Sequence, residues 1–114
     1  MAENKQYITQ THENGTVMIS EEVVSTIVIN AIEEVEGVAP VPVRNDLLNK
    51  RKLVKIDIAD YNELSIDITI FVKFGNSVVE VAKAVQQNII DSVESVTGVK
   101  VVNVNVNVSG SAKQ

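Results

Sequence analysis

At Gly98 the hydrophobic period of this chain switches from that of a helix to that of a strand, which limits the fold more than any other feature. Before the switch, Val78, Ala82, Val85, Ile89, Val93 and Val96 recur at three- and four-residue steps, a spacing that stacks side chains on one side of a helix. Glu80, Lys83, Gln87, Asp91 and Glu94 fall on the opposite side. Ser77 or Asn76 offers a side-chain oxygen to a free first-turn N–H. Gly98 suits the left-handed position that ends such a helix. After it, Val102, Val104, Val106 and Val108 alternate with Asn103, Asn105 and Asn107, the period of a strand. The pair predicts a helix laid back on the next strand.

The rest of the chain repeats this economy. Residues 1–14 are polar and read as a flexible tail. Gly15 opens a short strand, Thr16 to Ile19. Ser20 then caps a helix whose first turn carries Glu21 and Glu22, where carboxylates favour the positive end of the dipole. That helix is expected to run to about Glu36, with Val24, Ile27, Val28, Ala31 and Val35 buried, Ile32 at the margin and Gly37 as its cap. Ile32–Val38 resembles Val93–Val99, a likeness that shared capping chemistry explains without duplication. Pro40 and Pro42 come after the first cap and predict a loop or a sheet edge there.

Next, Val54, Ile56 and Ile58 alternate with Lys55, Asp57 and Ala59. After a turn at Tyr61-Asn62-Glu63, Ile66, Ile68, Ile70 and Val72 alternate with Ser65, Asp67, Thr69, Phe71 and Lys73. Gly75 ends this hairpin and leads into the second helix. Residues 15–110 are thus expected to form one α+β domain, a two-layer β-α-β-β-α-β arrangement with two helices packed on one face of a small mixed sheet. Residues 111–114 are read as a C-terminal tail.

Composition excludes several functions. A net charge of −5 argues against bulk nucleic-acid binding, which needs cations to displace counterions. The chain has no cysteine, so thiolate metal sites and thiol nucleophiles are excluded. Aromatics are only 4 %, so Val and Ile must build the core. No run approaches the roughly 20 apolar residues of a membrane span. The expected location is cytoplasmic, with any membrane association through a partner. No phosphate loop, dinucleotide fingerprint or nucleophile–base pair occurs, and His12, the sole histidine, lies in the expected tail. No catalytic residue, cofactor, metal or small-molecule substrate is expected.

Two surfaces stand out. The sheet face away from the helices should carry Lys55, Asp57, Ser65, Asp67, Thr69, Phe71, Lys73, Val101, Asn103, Asn105 and Asn107. Its ordinary reading is a solvated face. Its sharper reading is a protein-binding face, because Phe71 and the three asparagines form a weakly charged strip unlike the Lys and Glu of most exposed strands. If the hairpin pairs symmetrically about Asn62, Asp57 stands opposite Asp67; Lys55 on the diagonal, a shared proton or a bound cation would relieve the repulsion. The second surface pairs the acidic end of the first helix, Glu33, Glu34 and Glu36, with the basic residues Arg44, Lys50, Arg51 and Lys52 of a neighbouring copy. Repeated head to tail, such a contact generates filaments.

Over residues 15–110 the chain resembles the alkaline-shock (envelope stress response) protein family of Gram-positive-type bacteria. The resemblance is carried by Gly15-Thr-Val-Met-Ile-Ser-Glu-Glu-Val-Val, Ala31-Ile-Glu-Glu-Val-Glu-Gly-Val, Val72-Lys-Phe-Gly, Val85-Gln and Thr97-Gly-Val-Lys-Val-Val-Asn-Val-Asn-Val. Ala39-Pro-Val-Pro-Val departs from a more glycine-rich family pattern. The resemblance implies a non-catalytic cytosolic protein of the envelope stress response, held at the membrane in some cases by an anchoring partner. It also implies an alternative, a regulatory module acting on a biosynthetic enzyme such as acetyl-CoA carboxylase in fatty-acid synthesis.

Overall fold

Leu64, Ile66, Ile68, Ile70 and Val72 point one way along a ten-residue strand, and that period of two makes β4 (Leu64–Lys73) the centre of the molecule. The structure, a computed structural model, describes residues 7–40, 53–59 and 63–112. β3 (Val54–Ile58) pairs antiparallel with one side of β4 and β5 (Val101–Ala112) pairs parallel with the other. The helices α1 (Glu21–Glu33) and α2 (Val78–Thr97) pack on each other and on the apolar face of this mixed sheet. Val24, Val28, Val85, Ile89 and Val93 are fully buried against Leu64, Ile66, Ile68 and Val72. Each such side chain gains roughly 1.5–3 kcal/mol on leaving water. The result is the expected two-layer α+β architecture with both helices on one face.

The N-terminal region differs from expectation. Residues 7–12, assigned to the flexible tail, form β1 (Tyr7–His12), which pairs antiparallel with β2 (Gly15–Ser20) through the two-residue loop Glu13–Asn14. The first expected strand therefore joins a separate two-stranded sheet, and among the described residues the main sheet has three strands. Ile8 explains why: it is fully buried in the core, and Gln10 Nε2 donates to the Thr97 carbonyl at 2.9 Å. At the other end, Ser111 and Ala112, assigned to the C-terminal tail, extend β5.

Helix boundaries follow capping chemistry. Ser20 accepts from Val23 N and Ser77 from Glu80 N, each at 3.3 Å. Gly98 caps α2 in the left-handed region (φ 73°, ψ 12°). α1 stops at Glu33 with Glu34 as its cap, three residues before the expected end, so Gly37 is not a helix cap. Gly37 instead has φ +98°, and its carbonyl accepts from Lys73 N at 2.7 Å. With Ala39 N donating to Phe71 O and Val38 bridging Val72, residues 37–39 lie along the β3 side of β4, with Pro40 next in the chain.

The buried stripe of α2 also differs at its ends from the expected one. Val81, Val85, Ile89, Val93 and Thr97 are buried, whereas Val78 and Val96 are exposed. Each four-residue step advances about 40° round the helix, so the buried stripe winds, while Val78 and Val96 lie near its two ends on the same side as Val85 and Ile89; spacing alone does not show where along the helix burial stops.

Candidate functional site

The face of the sheet opposite the helices is built by strand register. In the β3–β4 ladder Lys55 stands opposite Asp67 and Asp57 opposite Ser65. The expected Asp57–Asp67 pair is therefore wrong by two residues, and the repulsion that would have called for a cation does not arise. Opposite charges face each other instead, a favourable cross-strand pair. Among the described residues no group of three or more His, Cys, Asp or Glu could hold a metal ion.

On the other side of β4, Ser65 aligns with Asn103, Asp67 with Asn105, Thr69 with Asn107 and Phe71 with Gly110. Phe71, Asn103, Asn105 and Asn107 thus share this face, with the asparagines exposed and Phe71 half-buried. Asn107 Nδ2 donates to the Ile68 carbonyl at 3.1 Å, which fixes its amide along the β4–β5 seam. Asn103 and Asn105 make no side-chain hydrogen bond to the described residues. The strip presents mostly uncharged donors and acceptors, with Asp67 at its middle beside Asn105 and facing Lys55 on β3. Such a surface hydrogen-bonds a partner's backbone or side chains at little desolvation cost compared with buried charge.

Val101 departs from this plan. Irregularities in the ladder fall at Leu64/Ser65 and at Ile70/Phe71, leaving Val102 and Ser109 without a register partner. The first irregularity turns Val101 into the core, where it is 7 % exposed, and pushes Val102 out to 46 %. Val101 therefore belongs to the packing, not to the open face.

The second surface is half described. Glu33 ends α1, and Glu34 and Glu36 come after it, all three exposed. Glu34 Oε1 accepts from Asn88 Nδ2 at 3.1 Å, so this carboxylate ties α1 to α2. Arg44, Lys50, Arg51 and Lys52 lie outside the described residues. Gly75 sits in the turn after β4, beside Phe74, which is 69 % exposed.

A cleft of about 390 Å³ opens between α1 and the β3 side of the sheet, walled by Ile29, Ile32, Val38, Leu53, Val54 and Ile70. Most of the side chains around it are apolar, Glu33 and Thr69 are the polar ones, and a substantial part of the exposed lining is polar. No nucleophile–base pair converges there among the described residues. Sequence reasoning missed two other exposed features, the β1–β2 hairpin with Tyr7, Val17 and Met18, and the apolar group Phe74, Val78 and Val79 at the start of α2. Tyr7-Ile8-Thr9, followed by Glu13-Asn14-Gly15 just before the expected strand, was the available signal for the hairpin.

The chain matches the alkaline-shock protein 23 family, described as having a cell envelope-related function, over residues 9–112. It is 35 % identical over 104 residues to the uncharacterized protein YqhY of Bacillus subtilis (strain 168), a match covering 84 % of this chain and 76 % of that protein. Among solved structures, a doubly substituted variant of the MamM CTD matches with a TM-score of 0.57 at 18 % identity, covering 79 % of this chain and 93 % of that one. A singly substituted variant matches with a TM-score of 0.55 at 20 % identity, covering 79 % and 96 %. At these identities the likeness to MamM is one of fold. No helix among the described residues is long and apolar enough to cross a membrane.

Proposed function

The chain belongs to the alkaline-shock protein family, whose function is cell envelope-related, and on that premise we propose that it is a non-catalytic scaffold of the envelope stress response that works by protein–protein contact and self-association. The observation that carries this reading is the open sheet face. Helices cover one side of β3, β4 and β5 only, and the other side offers Phe71, Ser65, Thr69 and an asparagine row along β4 and β5, with Asp67 in their midst and Lys55 and Asp57 on β3. A partner that lays polar side chains or main chain across this strip gains hydrogen bonds, with Phe71 as an apolar anchor.

The test is a tagged pull-down from the native cell, with membrane and soluble fractions identified separately, comparing the wild type with Asn103→Glu. Asn103 is exposed, so the substitution leaves the core intact while adding charge to the strip. Recovery of a membrane protein together with untagged copies of the chain, and loss of that membrane protein with Asn103→Glu, is the expected outcome. Recovery of a soluble biosynthetic enzyme instead would replace the scaffold by the regulatory reading. Unchanged partners with the variant would remove the open face as the site.

A further inference from the structure

We propose that the outer edge of β5 is where two copies of this chain join, β5 against β5 in antiparallel register about a two-fold axis, so that two three-stranded sheets become one of six. The inference rests on the self-association part of the reading above and gives it a surface. It begins from which way the main chain points. Leu64 N donates to Lys100 O, while Thr69 N donates to Leu53 O and Lys73 N to Gly37 O. Even-numbered residues of β4 therefore address β5, and odd-numbered ones address the opposite side. In the parallel register Ile66↔Val104 and Ile68↔Val106, the residues of β5 that answer β4 are Asn103, Asn105 and Asn107. Val104, Val106 and Val108 then turn their N–H and C=O groups to the outer edge.

That edge is covered at one point. Gln86 Nε2 reaches over from α2 and donates to the Val104 carbonyl at 2.8 Å. Among the described residues, no side chain caps the outward groups of Val106 or Val108. The two edges of the sheet differ in their protection. The β3 side has a five-residue strand bearing Lys55 and Asp57, continued along β4 by residues 37–39 and Pro40. β5 runs twelve residues, Val101–Ala112, with no charge and no proline. Charges, short length and proline are the usual defences of an edge strand, and β5 lacks all three.

The chemistry selects a second copy as the occupant. The net charge is −5, so two copies repel over most of their surface but not along this uncharged segment. The Val-Asn alternation is also its own complement. Antiparallel pairing of outward residues sets valine beside valine on the helix side and asparagine beside asparagine or serine on the open side. An axis at Asn107 leaves the Gln86 clamp undisturbed, pairs Val106 with Val108 of the second copy, and sets the two Asn107 side chains face to face. Val79 lies two turns before Gln86 on the same side of α2 and is 60 % exposed. A second copy on this edge would cover it, together with the half-buried Val106 and Val108.

Sedimentation velocity over a concentration series tests this on the full chain. The wild type is expected to dimerise. Val106→Pro removes an outward N–H that no β4 group uses, and should weaken the dimer roughly thirtyfold through the two lost bonds. Circular dichroism checks that it stays folded. If it does not, the exposed position 107 decides the matter: Asn107→Lys alone and Asn107→Asp alone should each sediment as weaker dimers, and an equimolar mixture should regain association. A wild type that stays monomeric overturns the proposal, as do charge variants that associate like the wild type. A monomer that still recovers an envelope partner in the pull-down would remove this interface and leave the scaffold reading standing.

Discussion

The two helix–glycine–valine units, Ile32–Val38 and Val93–Val99, start from nearly the same residues and end in different structures. In the second, Gly98 takes the left-handed position directly after α2, its N–H bonds Glu94 O at 2.9 Å, and the chain runs on into the twelve residues of β5. In the first, α1 has already stopped at Glu33 when Gly37 is reached, and Gly37 serves a different need. A Cβ there would lie 2.7 Å from Val81 Cγ2, while a Cβ on Gly98 would meet nothing closer than Gln10 Nε2 at 3.6 Å. One glycine is needed for conformation alone, the other for conformation and space. The next residues differ too: Pro40 lacks a backbone donor two residues after the bridge at Val38, whereas Lys100 leads straight into the strand that begins at Val101.

The sharpest break between the two units is Gly37→Ala. Positive φ costs a residue with a Cβ about 1–2 kcal/mol. The contact with Val81, a β-branched side chain buried in α2, adds about 1–3 kcal/mol of overpacking. A loss of about 3 kcal/mol in urea unfolding is expected from the sum of these costs. Adding Val81→Ala removes the clashing methyl, so the double variant should lose less than the sum of the two single ones. Strict additivity would mean that the close approach is not the cause.

The two units also mark how far the residues alone could be read. The strands of the main sheet were legible because Val54–Ile58 and Leu64–Lys73 alternate strictly and only one face is apolar. The open face came from the same alternation, and with it the placement of Phe71, Asn103, Asn105 and Asn107. Register was not legible. A shift of two residues about the turn keeps every side chain on its own face, so the pattern permits both Asp57–Asp67 and the actual Lys55–Asp67. The irregularity beside Val101 was equally hidden, since Val101 and Val102 are chemically the same and either could face the core. The hairpin β1–β2 escaped because its polar outer residues mask one decisive side chain, Ile8, whose burial is set by tertiary contact.

Each helix end also borrows an amide from elsewhere in the fold, and here the first unit depends more on its donor. Asn88 Nδ2 donates to Ala31 O at 2.7 Å and to Glu34 Oε1 at 3.1 Å, closing the end of α1 from α2. Gln10 Nε2 makes one bond, to Thr97 O, from the hairpin. Asn88→Ala should cost about 2 kcal/mol and Gln10→Ala about 1 kcal/mol, because the former strands one more acceptor. Hydrogen exchange separates them further. Gln10→Ala should speed exchange in Tyr7–Ser20 while leaving α1 protected, and Asn88→Ala should loosen the end of α1. Equal effects on both regions would mean that hairpin and helices open as one unit.

Gly98 gives the smallest effect and the cleanest control. Its φ of 73° and ψ of 12° lie in the left-handed region, and the space around it is open to a Cβ. Gly98→Ala should therefore carry only the conformational cost, about 1 kcal/mol by thermal or urea unfolding. Gly98→Asn should cost less than Gly98→Ala, because asparagine visits the left-handed region more readily. The same asparagine at Gly37 should give no such relief, since its Cβ meets Val81 as alanine's does. If asparagine rescues both positions, the crowding at Gly37 yields when a Cβ arrives, and the two units differ only in the residues after the glycine. If it rescues Gly98 alone, the first unit's glycine is held in place by α2 packing across it.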